Sequence, residues 1–233
     1  MRRLSLATVA VGLLAGLFFL PAVSYAQSSV NFYVGGFVNK GEEARDRQDV
    51  LWNDLDFLSF NINDFNGATA GAEYLVGLGE NLEGSLGVGI YSRSVPSVYA
   101  NFVNSNGSEL EQDLKLRMVP FTATVRWLPL GHSSGIEPYF GAGVAIINYR
   151  YSESGQFVDF TDNSIFRDTF VGSGTATGPT ILGGVRFPIG NVSFGGEVRW
   201  QKALGDLPAD QDFAGSKIDL GGVNYLATFK VRF

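Results

Sequence analysis

His132 is the only histidine of the chain, and Ser133 and Ser134 follow it directly. Imidazole with a hydroxyl and an orienting acid is the material of nucleophilic acyl transfer. These three residues lie in a short polar segment, Leu128 to Glu137, where His132 is expected to be a solvated turn residue. Asp206, Asp210 and Asp212 cluster further on. The Asp210-x-Asp212 pair lacks the glycine and the bidentate glutamate of a calcium loop, so a solvated acidic loop is expected. Gly172-x-Gly174 is not followed by a helix and reads as flexibility rather than a phosphate cradle. There is no cysteine, so neither disulfides nor a lipid-modified thiol enter. The expectation is no catalysis, no metal and no cofactor.

The remaining ionisable residues are more telling. Glu73, Glu83, Arg126, Arg186, Glu197, Arg199, Lys230 and Arg232 each stand at alternate positions opposite an apolar face. Phe194, Gly196, Val198 and Trp200, for example, alternate with Gly195, Glu197, Arg199 and Gln201. Such a period of 2 belongs to strands whose two faces meet different surroundings. Isolated buried charges are very costly, so the acids are expected to pair with some of the bases. The bland reading is a structural ion-pair plug; the sharper one is a narrow, charge-lined solute path. Interleaved glycines leave room for long side chains.

Eight alternating segments must position these residues: Ser29 to Asn39, Gly67 to Val76, Leu82 to Ser92, Leu114 to Trp127, Pro138 to Tyr151, Thr177 to Phe187, Val192 to Gln201 and Ile218 to Phe233. The fifth is too apolar for its faces to be assigned. Long connections (Lys40 to Asn66, Arg93 to Asp113, Ser152 to Ala176, Lys202 to Lys217) alternate with short ones. That rhythm predicts an all-β fold, an eight-stranded antiparallel up-and-down transmembrane β-barrel, with short turns on the periplasmic side and long loops outside. A ten-stranded variant would need Gln156 to Phe170 to cross lipid, which Asp159, Asp162 and Asp168 oppose. In the fourth segment, Leu114, Leu116 and Met118 read as the lipid face, with Lys115 and Arg117 inward. Beyond Pro120, Phe121, Ala123, Val125 and Trp127 take that face, with Thr122, Thr124 and Arg126 inward. The parity flip predicts a β-bulge at Val119-Pro120. Trp127 and Trp200 suit interfacial girdles.

The ends fit export to an outer membrane. Arg2 and Arg3, the apolar run Leu4 to Leu20, and Ser24-Tyr25-Ala26 read as a signal peptide over residues 1–26, leaving a single barrel domain over 27–233. The last strand carries Tyr225, Phe229, Val231 and Phe233 on one face, a C-terminal pattern suited to barrel-insertion machinery. A net charge of −6, with no basic patch, excludes nucleic acid as a partner.

Motifs across nearly all of residues 27–233 extend this reading. They are Met118-Val119-Pro120-Phe121-Thr122, Arg126-Trp127-Leu128-Pro129, Glu137-Pro138-Tyr139-Phe140-Gly141-Ala142-Gly143-Val144, Leu182 to Pro188, Gly196-Glu197-Val198-Arg199-Trp200 and the terminal Phe233. With them the chain resembles the small bacterial outer-membrane β-barrel family of the OmpA, OmpX and OmpW kind. The resemblance implies strands and turns but no single activity. Lipid-A-modifying enzymes on small barrels work at the outer rim, whereas His132 falls in a turn on the opposite side.

The function expected is a monomeric integral outer-membrane protein, both termini in the periplasm, with a structural or surface-interaction role. Its partners would be outer-membrane lipids and lipopolysaccharide, the barrel-assembly machinery, and a surface partner at the extracellular loops. The loop aromatics Trp52, Phe57, Phe60, Tyr99, Phe102, Phe157, Phe160, Phe166, Phe170 and Phe213 form either an adhesive surface or, the favoured reading, a packed hairpin extension. The alternatives are a narrow channel for small or hydrophobic solutes, and a soluble periplasmic ligand binder of lipocalin type.

Overall fold

The computed structural model describes residues 28–132 and 135–233. The proposed signal peptide and Ser133-Ser134 lie outside the described residues. Eight strands form the wall: β1 (Ser28–Asn39), β2 (Gly67–Gly77), β3 (Leu82–Val103), β4 (Glu109–Trp127), β5 (Glu137–Asp159), β6 (Ser164–Ile189), β7 (Val192–Gln201) and β8 (Gly222–Arg232). Each pairs antiparallel with its sequence neighbour, and β1 pairs with β8, so the sheet closes. Closure leaves every strand of the ring with two partners, which is what crossing lipid requires.

Near the end that carries Ser28 and Phe233, the wall is apolar outside. Phe32, Val34, Leu86, Val88, Ile90, Phe121, Val125, Phe140, Val144, Ile146, Ile181, Phe194 and Val198 are all exposed. A water-soluble barrel would place this belt in water; in a bilayer it meets hydrocarbon. Trp127 and Trp200 point outward at opposite edges of the belt, paired with Leu82 and Val223 respectively.

Four strands run far past the belt. β3 has 22 residues, β4 19, β5 23 and β6 26, against 10 to 12 in the other four. A tilted strand crosses a bilayer in about 9–11 residues. Much of Arg93 to Asp113 and Ser152 to Ala176, expected as loops, is therefore hairpin: Gln156 pairs with Arg167 and Val98 with Glu111. The acids of Gln156 to Phe170 sit beyond the belt, and the ring keeps eight strands. The last strand begins at Gly222 rather than Ile218, because Lys217–Asp219 pairs instead with Leu204–Asp206.

The expected bulge at Val119-Pro120 is absent. The β4–β5 register holds from Gln112↔Gly155 to Trp127↔Phe140 without a shift. Toward β3, the pairs Val88↔Phe121 and Tyr91↔Met118 keep one register, and the ladder lapses only between them, at the proline, which has no amide hydrogen to give. Leu114, Leu116 and Met118 are buried inside, and Lys115 and Arg117 point outward. The alternation continues unbroken to Arg126. What inverts is the surroundings: beyond the belt, water lies outside and a packed apolar core inside. The irregularity in this pair of strands lies instead between Val98 and Val103.

That core is built by the first and last long connections. Residues 40–66 fold inward as a 3-10 turn (Glu42–Ala44), helix α1 (Val50–Asp54), a two-residue strand Leu58–Ser59 on β3, and a second turn (Ile62–Phe65). Asp49 caps α1 by accepting from the Trp52 amide. Val50, Leu51 and Phe65 are fully buried against Leu114, Leu116, Ile147, Tyr151, Ile218 and Leu220. Phe57, Phe60, Phe102 and Phe213 pack against the same core, while Phe160 and Phe166 remain exposed.

Candidate functional site

The lumen within the belt holds a charge network. Arg126 reaches Glu73 at 2.6 Å and Glu197 at 3.2 Å. Arg199 binds Glu73 at 2.6 Å and also bonds Glu197. Two guanidinium groups thus bridge two carboxylates in a closed ring. A second cluster lies nearer the short turns. Arg186 grips Glu83 with both nitrogens, at 3.1 and 2.6 Å, and Lys230 adds a 2.6 Å bond to the same carboxylate. Arg232 bonds Glu137 at 2.7 Å. Seven of the eight ionisable residues singled out from the sequence thus meet one another in these two clusters, and Arg232 meets Glu137 instead.

Charge-assisted pairs of this kind are the strong ones, and here they replace water for side chains that are almost wholly buried. Tyr139 links the two clusters: its hydroxyl donates to Glu197 at 3.0 Å, and the Arg126 and Arg186 guanidinium groups lie over its ring at 5.2 and 4.2 Å. Asn31 donates to Glu73 at 3.1 Å, and Arg199 lies over Tyr33. Glycine makes the packing feasible: a Cβ on Gly184 would come within 2.5 Å of the Tyr139 ring, and one on Gly87 within 2.8 Å of Glu73. At the short-turn mouth, the lumen narrows to a cleft of about 30 Å³ lined by Ser29, Glu83, His132, Lys230 and Arg232, room on the order of one or two waters.

Glu137 and Tyr139 were not legible in advance, because the strand that carries them is apolar on both faces. The usable signal was parity, since Glu137, Tyr139, Gly141 and Gly143 share one face.

His132 Nδ1 is 3.8 Å from Glu83, and burial holds its pKa below the ordinary value. Asp206 pairs with Lys217 at 2.6 Å. Among the described residues, no group of three or more His, Cys, Asp or Glu is arranged to hold a metal. Gly172 and Gly174 lie within β6, where they pass close to Leu207 and to the Tyr149 hydroxyl. Tyr225, Phe229 and Phe233 are exposed on the outward face of the last strand and its end, with Val231 partly covered beside them.

Above the belt, three residues form a different site. Asp54 at the end of α1 and Glu153, two residues on from Tyr151 along β5, are both buried, and the Tyr151 hydroxyl donates to Asp54 at 3.1 Å. Burial, reinforced by the charge of Glu153, pushes the Asp54 carboxyl well above the usual range. Burial likewise raises Glu153 to about 7. Tyr151 is pushed up by burial and by both acids. Nothing in the sequence pattern marked this trio, since its members stand in a loop and in a strand extension far apart.

No protein-family model matches the chain, and no curated protein matches it. Solved structures similar to it include Neisserial surface protein A (13% identity, 89% of this chain and 97% of that one, TM-score 0.47). They also include E. coli outer membrane protein W (13%, 89% and 98%, 0.44) and the N-terminal β-barrel domain of Pseudomonas aeruginosa OprF (13%, 89% and 99%, 0.40). These are small outer-membrane β-barrel proteins, and the chain resembles them at the level of the fold.

Proposed function

We propose that this protein is an integral outer-membrane barrel that acts as a closed structural wall and as a scaffold for its loop-end surface, without catalysis. The observation that carries this reading is the filled lumen. Paired charges occupy the belt region, and the folded first and last loops occupy the mouth above it. An eight-stranded wall leaves an interior just wide enough for such side chains. In this reading the termini and short turns face the periplasm, and the long hairpins project outside. They present Val103, Phe160, Ile165 and Phe166 as exposed apolar tips to a surface partner. The outward row Tyr225, Phe229, Val231 and Phe233 serves recognition by the assembly machinery, after residues 1–26 have been removed.

Planar-bilayer recording of the purified, refolded protein tests the reading. The expected result is no resolved conductance steps in molar potassium chloride. Reproducible unitary steps would favour the narrow-channel alternative, with the same charges acting as its lining.

A further inference from the structure

The two acids beside Tyr151 raise a bookkeeping problem in protons. A phenol hydroxyl has one hydrogen to give. Tyr151 gives it to Asp54 Oδ2. Glu153 stands two residues on from Tyr151 on the same inward face of β5, where the one phenol hydrogen is already committed to Asp54. Neither acid forms an ion pair among the described residues, in contrast to every acid of the lumen. Asp54 Oδ1 and Glu153 Oε1 are buried without a hydrogen-bond partner, as is the Gln112 amide oxygen. Two like charges in that apolar core would be costly, and close acid pairs characteristically hold one proton between them.

The groups facing the trio offer no cation in exchange. From α1 comes Asp49, already engaged with Arg45 at 2.7 Å and with the Asp219 amide. From β3 comes the Tyr99 hydroxyl, which receives Gln112 Nε2 from β4 and the Val158 amide from β5. From the last loop, Phe213 packs on the Tyr151 ring.

We propose that Asp54, Tyr151 and Glu153 form a proton-binding latch: with a proton bound, it ties α1 and the first loop into the mouth of the barrel, and loss of that proton loosens them. Asp54 belongs to the loop and Tyr151 and Glu153 to the wall, so the shared proton bridges the two bodies directly. The sign follows from which state holds the proton. The seated loop binds it more tightly than the released loop, where the acids return to their ordinary range near 4. The seated state is therefore favoured at low pH and loses its advantage as pH rises from that range through about 7. The seated-to-released ratio should fall by up to about tenfold per pH unit within that window, for one proton.

Trp52 lies in α1, two residues from Asp54, and reports the loop. The test uses the full barrel in detergent micelles or vesicles with Trp127 and Trp200 replaced by Phe. Acrylamide quenching of Trp52 is followed from pH 5 to 9, with far-ultraviolet circular dichroism confirming that the wall stays folded. The expected result is quenching that rises with pH in the parent. It should stay low and flat in Glu153→Gln, which keeps the shape and can donate at every pH. His132→Gln, removing the only histidine, should leave the parent transition in place. Flat quenching in the parent, or an unchanged transition in Glu153→Gln, would overturn the proposal. So would suppression of the transition by millimolar calcium, which would reassign the oxygens to a cation.

Discussion

The two halves of this barrel use one strand alternation to opposite ends. Within the belt, inward positions carry Glu73, Arg126, Arg186 and Arg199, and outward positions carry Phe121, Val125 and Val144. Above it, inward positions carry Leu114, Leu116, Tyr151 and Ile147, and outward positions carry Lys115, Arg117 and Arg150. The backbone does not change between them; the solvent does. Hydrocarbon outside forces polarity inward, and polar groups kept from water must then find one another. Water outside restores the ordinary arrangement, in which apolar burial holds the loops against the wall. The lower half is thus held by specific pairs and the upper half by packing.

The largest effect expected from breaking this contrast lies in the lumen. Glu73→Ala strips a partner from both Arg126 and Arg199 and leaves buried positive charge uncompensated, at a cost of about 3–5 kcal/mol. Urea unfolding in vesicles, read by the mobility shift of folded against unfolded protein, should show this loss, and Asp210→Ala in the last loop should show none. A similar truncation above the belt, Leu116→Ala, removes packing without stranding a charge. It should cost about 2–5 kcal/mol and fall mainly on seating of the first loop, so its signature is earlier protease cleavage within residues 40–66. A charge added to the outer wall sharpens the comparison further. Val144→Lys places an ammonium in the belt and should cost about 2–4 kcal/mol near the midplane. Ser152→Lys, eight residues along on the same face of the same strand, should change stability by less than about 0.5 kcal/mol. Equal effects from the two lysines would erase the boundary between the halves.

The same contrast explains what could be read in advance. The belt segments were legible because an apolar face toward lipid and a polar face inward produce a clean period of 2, as in Leu82 to Tyr91 and Val192 to Gln201. The inward charges followed from that parity alone. The rule that apolar means outward then failed at Leu114, Leu116 and Met118, where the inner face meets packed loops. A change of surroundings looked like a change of backbone, and Pro120 stood near the boundary to suggest a bulge. The hairpin extensions were hidden for a related reason: Asp159, Asp162 and Asp168 fit a strand in water as well as a loop. Glu137 was missed because its strand carries Phe140, Val144 and Ile146 outside and Tyr139, Ala145 and Ile147 inside. The Asp54–Tyr151–Glu153 trio depends on a long-range fold of the first loop, to which local pattern is blind.

The most direct test of the inverted alternation is a cysteine scan of β4, since the chain has no cysteine of its own. Single cysteines are placed at each position from Glu111 to Trp127 in the refolded protein in lipid vesicles. Each is challenged with a water-soluble and a lipid-soluble maleimide. One parity is expected throughout. Positions 111, 113, 115 and 117 should take the water-soluble reagent and positions 121, 123 and 125 only the lipid-soluble one, while 112, 114, 116, 122, 124 and 126 stay protected. Reactive positions that switch from even to odd between 118 and 121 would contradict it, and would restore a bulge at Pro120 in place of a change of solvent.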